Sequence, residues 1–123
     1  MGHDRTLVEE IMTTPLERIG PDATVTEAAA TMRDKDISAL LVTTAPPSII
    51  TSTDILDAVA QERDTAKLAV SDLMTESVET VPPDLPLSET AAMMTNFGIN
   101  HLPVVDDDYI GMVSSSDITG EMH

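Results

Sequence analysis

The sequence predicts a mixed α/β (α+β) fold: two β-α-β-β-α repeats packed through their sheets, related by pseudo-two-fold symmetry. Three observations carry this. The chain repeats itself, each copy runs through helical and strand periodicities in the same order, and hydrophobic content of 41% supports a buried core. Displacing the chain by 62 positions puts Val8 on Val70, Met12-Thr13 on Met74-Thr75, Pro21-Asp22 on Pro83-Asp84 and Ala29-Ala30 on Ala91-Ala92. Ile37, Leu40 and Val42 then fall on Ile99, Leu102 and Val104. One extra residue in the second hairpin makes the displacement 63, which puts Ser52 on Ser115 and Asp54-Ile55 on Asp117-Ile118. Two such halves are expected to pack face to face, each burying a sheet surface it cannot hide alone. The repeats are placed at 7–63 and 70–122, joined by a linker at 64–69 within the polar stretch from Gln61 to Ala69.

Each repeat opens with a short helical turn ending at Ile11-Met12 or Leu73-Met74. An extended piece follows, Leu16 to Ile19 or Val78 to Val81, and a Pro-Asp turn closes it. Thr24-Val25-Thr26-Glu27 has the spacing of a capping box, in which hydroxyl and carboxylate satisfy helix-end amides reciprocally. Val25, Ala28, Ala29 and Met32 then form one apolar helix face. Leu87, Ala91 and Met94 keep that face in the second repeat, where Pro86 replaces the capping Thr and weakens the cap. The apolar runs Ala39 to Thr43 and Leu102 to Val105 read as strands. Turn-rich loops, Thr44 to Ser48 and Asp106 to Tyr109, join them to second strands at Ile49–Thr51 and Ile110–Ser114. A closing helix begins at each Asp, carrying Ile55, Leu56, Val59 and Ala60 in one repeat and running from Ile118 to Met122 in the other.

Charge narrows the function. With 22 acids against six Lys and Arg the net charge is −16, which repels nucleic-acid phosphates. The acids are spread among amphipathic segments, so the chain reads as folded, with a surface resembling that of proteins from salt-loving organisms. No apolar run reaches the roughly 20 residues of a membrane helix. The first residues lack the basic and apolar regions of a signal peptide, so a cytoplasmic protein is expected. The absence of cysteine excludes disulfides and thiol chemistry. No Ser-His-Asp set, Walker loop or His-rich metal spacing is present, which points to a binding module.

The concentration of chemistry lies at two strand-to-helix junctions, Thr51-Ser52-Thr53-Asp54 and Ser114-Ser115-Ser116-Asp117. Such residues are good N-caps. Capping needs one side chain, however, and three hydroxyls with a carboxylate leave a surplus. A carboxylate can accept two hydrogen bonds from a ribose diol, and hydroxyls with free helix amides suit a phosphate. Asp106-Asp107-Asp108 reads as a solvated hairpin turn in preference to a Mg²⁺ or Ca²⁺ site, because no second acidic cluster follows it. Met32, Met93 and Met94 fall on helix core faces, where methionine fills gaps. His101 adjoins an apolar strand, and both a structural role and ligand contact stay open for it. His3 and His123 are terminal.

The tandem order of elements resembles a pair of CBS domains, a Bateman module, over residues 7 to 122. Ile37 to Val42 and Ile99 to Asp106 precede the hairpins as in that family. Gly111-Met112-Val113-Ser114-Ser115-Ser116-Asp117 fits its pattern of glycine, two apolar residues, Ser/Thr, any two, Asp. The first repeat has Ser48 where the glycine is expected. The resemblance implies an adenosine-ligand sensor with two clefts, each drawing on both repeats. Carried over position by position, the favoured cleft uses Thr13, Thr14, Glu17, Ile37, Ser38 and Ala39 against His101, Ser114, Ser116 and Asp117. The second uses Thr75, Glu76, Glu79, Ile99 and Asn100 against Thr51, Thr53 and Asp54. In this alignment Asp117 works with Ile37 to Ala39, and His101 occupies a position the family often turns toward phosphate.

The expected effector is AMP or S-adenosylmethionine, with ATP and NAD as further members of the class and no obligatory cofactor. Arg5, Arg18, Arg33, Lys35, Arg63 and Lys67 all precede residue 70, so the second repeat offers no cation to a polyphosphate. A homodimer is implied, its interface built from the short helices near Met12 and Met74 and the closing helices; an effector protein is unspecified. Two alternatives stay open: a ligand-free dimerisation module, and a Mg²⁺-responsive acidic sensor.

Overall fold

The computed structural model describes residues 6–121; His3, Arg5, Met122 and His123 lie outside them. The chain forms two compact units that cut across the sequence repeat. One is Glu17–Val78. The other joins Met1–Leu16 to Glu79–His123.

In the Glu17–Val78 unit, strand β1 (Arg18–Ile19) lies parallel to β2 (Ala39–Val42), and β2 pairs antiparallel with β3 (Ser48–Thr51). Thr75 then bridges to Ile49 at the far edge, with N–H···O distances of 2.8 and 3.0 Å. Helix α2 (Val25–Lys35) covers the sheet, burying Val25, Ala28 and Met32. Burial of Val25 and Met32 is worth about 1.5–3 kcal/mol each before conformational entropy is subtracted. The capping box is formed as the sequence predicts. Thr24 N–H donates to Glu27 Oε2 at 3.0 Å, and Glu27 N–H donates to Thr24 Oγ1 at 3.1 Å. Helix α3 (Ser52–Ala60) follows β3 directly and leaves Leu56 and Val59 exposed. A 3₁₀ turn at Val70–Asp72 packs Val70 into the same core as Leu40, Val42 and Ile50. The polar stretch between the repeats is part of this packing. The Val25 and Thr26 amides, unpaired in any helix start, donate to the Leu68 and Thr65 carbonyls at 2.9 and 3.1 Å.

The other unit repeats the plan. Helix α1 (Val8–Ile11) precedes α4 (Leu87–Phe97), β4 (His101–Asp106), β5 (Asp108–Ser114) and α5 (Ser115–Glu121). Strands β4 and β5 pair antiparallel, Val81 bridges parallel to Val104, and Thr13 bridges antiparallel to Met112. The order Val81, β4, β5, Thr13 thus matches β1, β2, β3, Thr75. Helix α4 starts at Pro86 without a side-chain cap, as the sequence implies, and ends on Gly98 at φ 66°. Its counterpart α2 ends on Asp36 in the same left-handed region. Val8, Leu102, Val104 and Val113, all fully buried, centre the core.

Candidate functional site

The site is built at the β5–α5 junction. The apolar run ends at Val113, and Ser114, the last residue of β5, precedes a helix whose first amides need acceptors. Ser114 and Asp117 supply them reciprocally. Asp117 N–H donates to Ser114 Oγ at 3.1 Å, and Ser114 N–H donates to Asp117 Oδ2 at 3.0 Å. The box occupies one carboxylate oxygen. Ser116 is exposed, with its hydroxyl 3.0 Å from that of Ser114. The register pairs His101 with Ser114, so the half-buried imidazole and the Ser114 hydroxyl stand on one sheet face.

Thr13 reaches this unit through its backbone: its N–H donates to Met112 O at 2.7 Å, and Met112 N–H donates back at 3.2 Å. Gly111 makes that approach possible. A Cβ built there would stand 2.7 Å from Met12 Sδ and 3.1 Å from Thr13 O. The family glycine therefore clears space for the segment that brings Thr13 and the exposed Thr14 alongside β5. Ser48, its counterpart, is buried, and its Oγ lies 2.7 Å from Thr44 Oγ1. Asn100 in turn holds Ser115: Ser115 N–H donates to Asn100 O at 2.9 Å and Ser115 Oγ to Asn100 Oδ1 at 3.4 Å.

The first junction has the same construction. Thr51 N–H donates to Asp54 Oδ2 at 2.9 Å, and Asp54 N–H donates to Thr51 Oγ1 at 3.3 Å. Ser52 N–H donates to Ser38 O at 2.9 Å, and Ala39 pairs with Thr51 across the strands. Thr53 is exposed, as is Glu76 beyond the Thr75 bridge. Ile37 follows the α2 cap, its N–H donating to Met32 O at 3.0 Å. Glu17 accepts from Leu41 N–H at 3.1 Å through its carbonyl and faces Lys35 Nζ at 3.8 Å through Oε2.

The predicted residues therefore sort by unit. Thr13, Thr14, His101, Ser114, Ser116 and Asp117 share one, together with Glu79, Ile99 and Asn100. Glu17, Ile37, Ser38 and Ala39 share the other with Thr51, Thr53, Asp54, Thr75 and Glu76. Two features escape sequence reading: the contact of Met12 with Gly111, and a cavity of about 420 Å³ between α4 and α5, floored by Met94 and Ile118 and edged by Thr95, Asn100, Ser115 and Thr119. The Asp106–Asp108 turn is exposed, with Asp107 in the left-handed region. Among the described residues no group of three or more His, Cys, Asp or Glu is placed to hold a metal.

This geometry, twice over, is that of a tandem module whose strand-to-helix junctions present hydroxyls and a carboxylate. The chain belongs to the CBS domain family, whose pattern matches residues 8–61 and 70–123. Among relatives, it is 30% identical over 115 residues to the CBS domain-containing protein YhcV of Bacillus subtilis, covering 90% of this chain and 81% of that one. It is 34% identical over 119 residues to a homoserine O-acetyltransferase of Methanohalobium evestigatum, covering 93% of this chain and 24% of the relative. The chain spans 23–53% of the length of the first four curated relatives. Among solved structures, the CBS domain pair of MJ0100 in complex with 5′-methylthioadenosine and S-adenosylmethionine is 32% identical with a TM-score of 0.84, covering 95% of both chains. A hexameric CBS-CP12 protein from bloom-forming cyanobacteria is 29% identical with a TM-score of 0.90, covering 94% of this chain and 71% of that one.

Proposed function

We propose that this chain is a regulatory, non-catalytic module that binds an adenosine-containing ligand, AMP or S-adenosylmethionine in preference to ATP or NAD. The observation that carries this is the Ser114–Asp117 junction. Its capping box engages Ser114 Oγ and Asp117 Oδ2. The second carboxylate oxygen remains for a ribose diol, and the exposed Ser116 hydroxyl for a phosphate or carboxylate oxygen. His101 adds an imidazole on the Ser114 face. The likeness to a domain pair bound to S-adenosylmethionine and methylthioadenosine supports the adenosyl class.

Charge supports the narrower choice. Arg18, Arg33, Lys35, Arg63 and Lys67 all lie in the Glu17–Val78 unit, and the unit of the Ser114–Asp117 junction has no Lys or Arg among its described residues. Such surroundings suit a monophosphate or a sulfonium better than a polyphosphate. Thr51, Thr53 and Asp54 form the weaker second site, and the module acts as a homodimer.

Titration calorimetry with S-adenosylmethionine, methylthioadenosine, AMP, NAD and Mg²⁺-free ATP tests the reading. Binding of S-adenosylmethionine or AMP, weakened at least tenfold by Asp117→Ala, is the expected outcome. Tight ATP binding without an AMP or S-adenosylmethionine response overturns the ligand choice. No response to any adenosyl compound overturns the sensor reading itself.

A further inference from the structure

We propose that Met12 is a redox-sensitive latch: its oxidation to the sulfoxide by a hydroperoxide opens the Thr13–Met112 bridge and withdraws Thr13 and Thr14 from β5. One contact carries this. Met12 stands between α1 and the bridge. Its N–H donates to Val8 O at 3.0 Å, and Thr13 and Met112 exchange N–H···O bonds of 2.7 and 3.2 Å. Its thioether rests against Gly111, where an added Cβ would stand 2.7 Å from Sδ and 3.1 Å from Cγ. The same side chain packs against the core centred on Val8, Leu102 and Val113. In the repeat alignment Met74 is its counterpart, but Ser48 stands where Gly111 does.

The chain has no cysteine, so thioethers are its peroxide-reactive sulfurs. A sulfur lone pair attacks one peroxide oxygen; the S–O bond forms as the O–O bond breaks. Sulfur loses two electrons, and the reduced peroxide leaves as water or an alcohol. Met32, Met94 and Met112 are 5–7% exposed and shielded from this. Met12, Met74 and Met93 are half-buried and within reach of a small oxidant. A sulfoxide is polar, and burying its oxygen without a donor is costly. A contact too tight for a methyl on Gly111 has no room for an extra atom on the sulfur. The oxidised side chain must leave the contact, and the bridge it covers opens. The consequence for a ligand rests on the adenosyl-site reading: the site at the β5–α5 junction loses the two hydroxyls of Thr13 and Thr14.

Graded hydrogen peroxide followed by peptide mass spectrometry measures the oxidation of each methionine, and hydrogen exchange measures the opening of the Thr13 and Met112 amides. The chains are wild type, Met74→Leu and Met12→Leu, since leucine replaces methionine at nearly constant volume and takes up no oxygen. Met12 is expected to oxidise before Met32, Met94 and Met112. Exchange at both amides is expected to rise about tenfold or more in oxidised wild type and Met74→Leu, to stay unchanged in oxidised Met12→Leu, and to recover with methionine sulfoxide reductase. Met12→Gln, polar and of similar length, is expected to open the bridge without oxidant. Met12 still reduced once Met74 and Met93 are oxidised, or an equal rise in wild type and Met12→Leu, overturns the latch. Calorimetry with AMP and S-adenosylmethionine is expected to show affinity falling about threefold or more on oxidation of wild type but not of Met12→Leu. Unchanged affinity in a chain whose bridge has opened overturns the coupling to the site. A reduced chain that binds no adenosyl compound fails the ligand reading instead, and the exchange data still decide the latch.

Discussion

Asp117 serves folding and binding with different atoms of one carboxylate. Its Oδ2 accepts the Ser114 amide, closing the cap of α5; the other oxygen and the Ser116 hydroxyl carry the proposed recognition. Asp117→Ala is therefore expected to lower stability by about 1 kcal/mol, the usual worth of a cap, and to weaken adenosyl-ligand binding at least tenfold. Asp54→Ala removes an equivalent cap and is expected to cost similar stability while weakening binding far less. Urea denaturation beside calorimetry separates the two; equal binding losses would remove the preference for the Asp117 site. Gly111 makes a second residue-scale prediction. An added methyl meets Met12 Sδ and the Thr13 carbonyl oxygen, so Gly111→Ala is expected to destabilise by about 1–3 kcal/mol, as overpacking does. Met12→Ala in the same chain relieves the side-chain part of that clash. A double-mutant cycle without coupling would show that the backbone contact alone sets the cost.

Periodicity and end chemistry placed the elements well because both are local. The apolar face of α2 and the Thr24–Glu27 box lie within one stretch of chain, and both form as read. Pro86 likewise announces the uncapped start of α4. Thr24→Ala is expected to cost about 1 kcal/mol, measured as a shift in the urea midpoint. An unchanged midpoint would mean that water satisfies the Glu27 amide as well as the Thr24 hydroxyl does, the Val25 and Thr26 amides being held by the Leu68 and Thr65 carbonyls in either case. Those carbonyls were hidden in a segment that reads as polar linker. Its composition says solvent-exposed, and most of its side chains are, Thr65, Leu68 and Ala69 being half-buried; its backbone nevertheless completes a helix end. Sequence patterns report side chains and are silent on where main-chain acceptors point.

For the molecule as a whole, charge is the dominant unbalanced term. A net charge of −16 on 123 residues repels itself at low ionic strength. Raising NaCl from about 0.1 to 1 M shortens the screening length from about 10 to 3 Å, so thermal unfolding is expected to move up by several degrees. A melting temperature independent of salt would show that these acids sit too far apart to matter. An adenosyl ligand that prefers the folded state is also expected to raise the melting temperature, by an amount that grows with its concentration above Kd.

The repeat, the order of its elements, the caps and both hydroxyl-acid junctions were determined by the sequence alone, because each is written in residues a few positions apart and then written again. Only the tertiary structure decided that Thr13 joins β5 and Thr75 joins β3, so that each compact unit borrows the opening segment of the other repeat. No local signal records this, since sheet-edge amides pair with any extended backbone and the choice rests on long-range packing. The same holds for the cavity edged by Thr95, Gly98 and Thr119: each residue is ordinary in its own helix, and the space they line exists only because α5 is laid beside α4.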